Sequence, residues 1–303
     1  MAYRLKARES VSKGIKRIAK EQIDKAIADL SVTDETSIDE AVHQARKRLK
    51  KTRATIRLVR YRLGKDLYDR ENARYRDIGR KLAKLRDAKV KIKTLDGLNT
   101  HFGDRVSNLP DIRQELEIDY RREYQQVLNQ GFIISAKNEL KDAKTQIDDW
   151  KIKSSDWKAV DKSLKRVYKK GYKGLDVATS EPTAENLHDW RKRVKYLRYH
   201  FCILRPIWSE VMEEWVDRTH ELSDYLGEDH DLAVLQEFVS NRPKRFDRQN
   251  TLESLNALID SRRQELQSKA IFIGKRIYTE KDKKFVKRLN NYWQIWQEEQ
   301  YAS

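Results

Sequence analysis

Apolar residues recur at steps of three and four along almost the whole chain, a spacing that calls for helices. Val11, Ile15, Ile18, Ile23, Ala26, Ile27 and Leu30 mark one face of a first helix. Val42, Ala45, Leu49, Thr52, Ile56, Val59 and Leu63 mark a second, with an apolar face as narrow as the seam of a bundle. Further helices are expected over about 71–95, 111–129 and 135–150, with DGLNTHFGD breaking the first of them. Ser37 with Glu40 three residues on reads as a capping box, and Gly64 as a C-cap. No stretch alternates with period two for long, so the expectation is an all-α chain. Only 10 Gly and 4 Pro in 303 residues are available to interrupt its helices.

The helical pattern is written twice. AVHQARKRLKKTR begins at Ala41 and NLHDWRKRVKYLR at Asn186, and His188 lies 145 residues after His43. Leu82, Asp87 and Val90 reappear as Leu226, Asp231 and Val234 at an offset of 144, and VSKGIKRI at Val11 reappears as VDKSLKRV at Val160 at an offset of 149. The pair Arg121 and Arg122 matches Arg262 and Arg263 at 141. Four matches in one order indicate internal duplication. The expected boundary lies in DDWKIKSSDW near Ser154, giving one bundle repeat over 1–154 and a second over 155–303.

Within each copy the positive charge is ordered. At about 100° per residue, His43, Arg46, Lys47, Lys50, Arg53 and Arg57 form a stripe roughly a quarter-turn from the apolar seam. His188, Arg191, Lys192, Lys195 and Arg198 form the same stripe beside a seam of Leu187, Trp190, Val194, Leu197 and Phe201. Neither stripe contains an acid. A solvated helix face would mix Glu with Lys, whereas like charges three and four apart cost a few tenths of a kcal/mol per pair. A ligand that supplies the missing negative charge accounts for that cost. Arg48 and Arg193 fall on the opposite side of their helices, about +140° from the histidines, and are expected to be screened surface charges. The first helix of each half adds a basic face, Lys13, Lys16, Arg17 and Lys20 in one and Lys162, Lys165, Arg166 and Lys169 in the other. Ordinary solvated lysines explain that face equally well.

A formal net charge of +17 points to a polyanionic partner. The single Cys202 excludes a disulfide framework and fits a reducing compartment. No apolar run reaches the roughly 18 residues of a membrane span, so a cytosolic protein is expected. Two histidines among arginines and lysines make a poor cation site. No cofactor motif is present, and none is expected to be needed. EDHDL at Glu228 invites a metal-dependent phosphohydrolase reading, but its counterpart is KLRDA, and the shared Asp87 and Asp231 are expected to orient a neighbouring arginine or histidine.

The doubled H-x-x-R-K-R-x-K-x-x-R helix, each copy followed by an L-x-x-x-x-D-x-x-V helix, resembles the CHAD family, the conserved histidine α-helical domain. The resemblance spans essentially the whole chain. It implies two helical bundles about a pseudo-two-fold axis and a basic central channel or groove that binds inorganic polyphosphate without known catalysis. It carries over to His43, Arg46, Lys47, Lys50 and Arg53, and to His188, Arg191, Lys192, Lys195 and Arg198. Arg86 belongs to the companion motif, where the second half has His230 instead. Many relatives carry a further triphosphate-tunnel domain with an E-x-E-x-K strand. The nearest string here, ELEID at Glu115, puts Asp119 at the lysine position, so no triphosphatase activity is expected.

The expected function is therefore non-catalytic binding of inorganic polyphosphate or another phosphate-rich polyanion, with association to polyphosphate granules a corollary. Such a ligand has no bases, and the stripes hold almost no Asn or Gln to read them. The alternative is weak, nonspecific binding to a nucleic-acid backbone. A single-strand binder would want aromatic platforms, and Tyr196 and Tyr199 have only Lys51 and Ala54 as counterparts.

Overall fold

The computed structural model describes residues 3–31, 38–103, 109–129, 131–154, 156–242 and 251–302, and among them there is no strand. The expected cap at Ser37 lies outside the described residues. The helices are α1 (Val11–Asp29), α2 (Ile38–Leu58), the single turn α3 (Arg60–Leu63), α4 (Lys65–Lys81), α5 (Ala83–Phe102), α6 (Leu109–Asn129) and α7 (Phe132–Thr145). A crossing segment follows, with one 3-10 turn at Trp157–Ala159. Then come α8 (Asp161–Ser180), α9 (Ala184–Leu204), α10 (Ser209–Ser240), α11 (Thr251–Ile277) and α12 (Asp282–Ala302).

The order of packing recurs. α1 packs on α2 and α8 on α9; α2 packs on α4 and α9 on α10; α5 packs on α6 and α10 on α11. The halves then meet through like elements, α2 against α9 and α5 against α10. One apolar core runs through both halves, and Trp150, Trp190, Tyr75, Tyr168, Phe201 and Phe285 are its largest fully buried side chains. A second cluster, built on Ile92, Leu95, Leu116, Leu232 and Ile259, joins α5, α6, α10 and α11.

Local sequence explains where helices begin and stop. Ser10 caps α1 by accepting from the Lys13 N–H, and Thr183 caps α9 by accepting from the Asn186 N–H. The helix expected over 71–95 is two helices, with α4 starting at Lys65 and α5 running to Phe102. DGLNTHFGD does not break α5 early, because Leu95 and Leu98 bury in the second core and outweigh the propensity cost of Gly97. The stop comes at Gly103, whose φ of 64° suits glycine. Gly64, at φ 85°, separates α3 from α4.

The break between α4 and α5 falls at Leu82, whereas the matching stretch of α10 is continuous. A helix end leaves carbonyls without their usual partners. Here the Gly79 carbonyl accepts instead from Nη1 of Arg46, at 2.7 Å.

The seam of α9 is fixed by a slot. A Cβ on Gly174 of α8 would lie 2.9 Å from Cδ1 of Trp190, and one on Gly274 of α11 would lie 2.6 Å from its Cζ2. Only bare backbone leaves room for the indole, so α8 and α11 both close on Trp190. With Trp190 inward, the basic stripe of α9 lies a quarter-turn to the side.

The N-terminal residues form a strap over both halves. The Tyr3 hydroxyl donates to the Lys51 carbonyl, and the Leu5 N–H donates to the Ile203 carbonyl at 2.9 Å. Leu5 packs where a Cβ on Gly14 would be 2.5 Å from its Cδ2. The Arg8 N–H donates to Oε1 of Gln300.

Candidate polyanion-binding cleft

Where α2 packs against α9, Lys50 of one stripe comes into the field of Arg191 and Lys195 of the other. The Lys50 side chain stays accessible to water, yet protein crowds its ammonium, the situation of a residue inside a wet cleft. That crowding, then Arg46 and Arg191, pushes it down to about 8. Lys195 is held well below the usual lysine range by burial, then by Arg191 and by Lys50 itself, against the opposing pull of Asp231 and Asp224. Cations of both halves therefore act on one another through space.

The two motif arginines are held differently. Arg46 spends its guanidinium on the Gly79 carbonyl, with Asp87 3.7 Å away. Arg191 has no helix break opposite it. It lies over Gly227 of α10, 3.6 Å from where a Cβ would stand, and its buried Nε has no hydrogen-bond partner among the described residues. The same is true of Nε of Arg198, Nε of Arg57 and Nδ1 of His188. Arg53 donates from Nε to Asn72. Lys192 is bonded to Asp189 at 2.6 Å, and Lys47 is exposed.

His43 is lowered by burial and then by Arg86 of α5. In the second half His230 takes the position of Arg86 and lies tilted against His188, with ring centroids 4.1 Å apart. Burial and then Lys192 bring His188 down to about 4; burial and then Arg191 bring His230 down to about 3. Both imidazoles are neutral near pH 7 in the free protein.

A cleft of about 500 Å³ opens beside these groups, and Arg86 and Lys93 of α5 face Arg191 and Lys195 of α9 across it. α10 forms its third wall and contributes Asp224, Glu228 and Asp231. The stripes are free of acids, but the cleft is not. Asp231 sits among Arg191, Lys195, Arg86 and Lys50, and burial nonetheless raises its carboxyl. A smaller cavity of about 400 Å³ adjoins His188, His230 and Arg263. Among the described residues no group of three His, Cys, Asp or Glu is arranged to hold a metal ion, and no helix is long and apolar enough to cross a membrane.

The remaining basic residues singled out by the sequence have protein partners or lie elsewhere. Arg17 is bonded to Glu9 at 2.7 Å and Glu21 at 3.1 Å. Lys16 donates to the Asp148 carbonyl and Lys20 to the Asp148 carboxylate, so α1 ties down the crossing segment. Lys165 lies 3.9 Å from Asp282, and Lys13, Lys162, Arg166 and Lys169 are exposed. Arg122 pairs with Asp119, while Arg121 is exposed. Arg262 pairs with Glu228 and Glu265, and Arg263 with Asp229.

Four cations near the site carry no sequence signal of their own: Lys51, Arg60, Lys93 and Lys170. Lys51 is pushed down to about 8 by burial and then by Arg48, with Arg198 also acting. Of the two expected off-stripe charges, Arg48 pairs with Asp29 at 3.3 Å. Arg193 instead acts on Lys170 across α8 and α9. Its place follows from helix packing, which a helix drawn in isolation cannot supply.

Comparison with known proteins bears on the same elements. The CHAD domain family model matches residues 17–240. In three dimensions the chain resembles PptA from Streptomyces chartreusis, with a TM-score of 0.62 at 13% identity, covering 90% of this chain and 100% of that one. It also resembles the CHAD domain from the plant Ricinus communis, with a TM-score of 0.55 at 15% identity, covering 92% and 95%. No curated protein sequence matches.

Proposed function

The chain belongs to the CHAD family, and from that premise we propose that it binds inorganic polyphosphate in the basic cleft walled by α5, α9 and α10, where Lys50 of α2 adds its charge, without turning it over. The observation that carries this reading is the meeting of cations from two acid-free stripes. Lys50 and Lys195 lie in each other's field and in that of Arg191. Arg191 and Arg198 keep buried donors with no partner among the described residues. A chain of phosphates offers what these groups lack, closely spaced negative charge and acceptors for planar guanidinium forks. The internal repeat supports a groove that presents similar donors to a ligand from two sides.

Two further features bear on the alternatives. Tyr199 is buried and edge-on to Tyr3, and Arg57 covers Tyr196 at 4.1 Å, so neither ring stands ready to stack a base. Asp229, an acid of EDHDL, has its carboxylate engaged by Arg263 and Gln267.

The test is a titration with long-chain polyphosphate, tripolyphosphate and single-stranded DNA at two salt concentrations. Polyphosphate should bind more tightly than DNA at physiological salt and should displace it. Equal affinity for the two would turn the reading toward a general phosphate-backbone binder. Release of orthophosphate on incubation would overturn the non-catalytic part.

A further inference from the structure

A second group of cations lies at the C-terminal end of α2, and it is built differently from the cleft. Arg57 stands over Tyr196 at 4.1 Å and over Tyr68 at 5.7 Å. Arg60 stands over the same Tyr68 at 4.4 Å and over Tyr61 at 5.6 Å. Tyrosine faces thus hold two guanidiniums, which limits their freedom without using their N–H donors. The Nε of Arg57 has no partner among the described residues. Lys170 of α8 completes the group, and the charges acting on it are Arg193, Arg166, Arg60 and Arg57, all cations. The nearest acid on α9, Asp189, is bonded to Lys192.

The corresponding places in the other half do not repeat this. At the offsets of the internal repeat, Lys170 aligns with Glu21, Arg57 with Cys202, and Tyr196 with Lys51. Arg60 aligns with Arg205, which is paired with Glu213 at 3.1 Å, and Arg193 with Arg48, which is paired with Asp29. One end of the α2–α9 crossing therefore contains carboxylates that neutralise its cations, whereas the other presents arginines held over tyrosine rings. Chance decoration of a basic protein gives no reason for the charges to stay unneutralised at one end only.

We propose that Arg57, Arg60 and Lys170 form a second oxyanion clamp, separate from the Lys50–Lys195 cleft, which takes phosphate groups farther along the same polyphosphate chain. This inference rests on the polyphosphate reading and deepens it. Along α2, Arg57 is seven residues from Lys50, about 10 Å by helical rise. A short phosphate occupies one place or the other. A long chain occupies both, and the second contact forms at the high effective concentration set by the first. The protein then selects for chain length, and the chain leaves the cleft toward this end.

The experiment measures dissociation constants for tripolyphosphate and for long-chain polyphosphate with the intact protein. The variants are Arg60→Gln with Lys170→Gln, and Arg57→Lys with Arg60→Lys, which keeps the charge and removes the forks. Wild type should favour the long chain when concentrations are counted per phosphate. The Gln pair should reduce that ratio on the order of tenfold or more, and the Lys pair should reduce it by a smaller factor. Circular dichroism checks that each variant is folded; Lys170 is exposed, so Lys170→Gln alone serves if Arg60→Gln unfolds the corner. A ratio unchanged by the substitutions, in a wild type that binds both ligands, overturns the clamp and leaves the cleft reading intact. A wild type that binds neither overturns both. A wild type that prefers single-stranded DNA to long polyphosphate, with the preference lost in the Gln pair, assigns the clamp to nucleic acid and overturns it as a polyphosphate clamp.

Discussion

On the proposed reading, Lys50 and Lys195 are the residues at which charge and crowding meet the ligand. Lys50 titrates at about 8 in the free protein, against an ordinary 10.5. An anion favours the charged ammonium, so binding draws a proton in. Affinity for polyphosphate should therefore fall as pH rises from about 7 to about 10, and binding at pH 9 should take up protons, measurable by calorimetry in two buffers of different ionisation enthalpy. Stability has the opposite sign. The folded pKa lies below the unfolded one, so the unfolded chain holds more protons between the two values. The ligand-free protein should gain from this lysine as pH rises through that window and lose it as pH falls through about 8. Because water reaches Lys50, the effect on melting temperature should be modest. Lys50→Glu with Lys195→Glu should abolish measurable binding and leave the melting temperature equal or higher, since like-charge repulsion is relieved. A melting temperature several degrees lower would mean that these lysines are structural. Neither expected control charge is independent of the site: Arg48, though paired with Asp29, acts on Lys51, and Arg193 acts on Lys170.

At the scale of elements, the orientation of α9 depends on the glycine slot around Trp190. Gly274→Ala would put a methyl 2.6 Å from the indole, and overpacking of that kind costs about 1–3 kcal/mol. Urea unfolding should show a lower midpoint with an unchanged slope; an unchanged midpoint would mean that α11 moves freely off α9. Legibility from sequence also divides by element. The seam of α2 and the quarter-turn between seam and stripe follow from residue spacing alone, because helical geometry is local. The end of α4 at Leu82 did not follow, since no Gly or Pro stands there and the Gly79 carbonyl turns to an arginine 33 positions earlier in the chain. Two of the three acids of the α10 wall were equally hidden as cleft residues, whereas Asp231 stood out through its match to Asp87. Asp224 and Glu228 become part of the cleft only when α10 packs against α9 and α5. The Arg57 contacts were hidden too, because Tyr68 and Tyr196 come from two other helices.

For the whole molecule, the net charge of +17 has two consequences that salt separates. Self-repulsion destabilises the free protein, so raising salt from about 20 mM to about 200 mM should raise its melting temperature through screening. The same change should weaken polyphosphate binding, because condensed counterions are no longer released so favourably. A free protein whose melting temperature falls with salt would show that its internal ion pairs outweigh the repulsion. The strap adds a consequence in time. The carbonyl that receives the Leu5 N–H belongs to Ile203, which is made roughly 10 to 40 s after Leu5 at ordinary rates of synthesis. For that interval Leu5 lacks its hydrogen-bond acceptor on α9, and the first half, however well formed, waits with this strap undocked. The strap, made well before the helix that receives it, docks only after that helix exists.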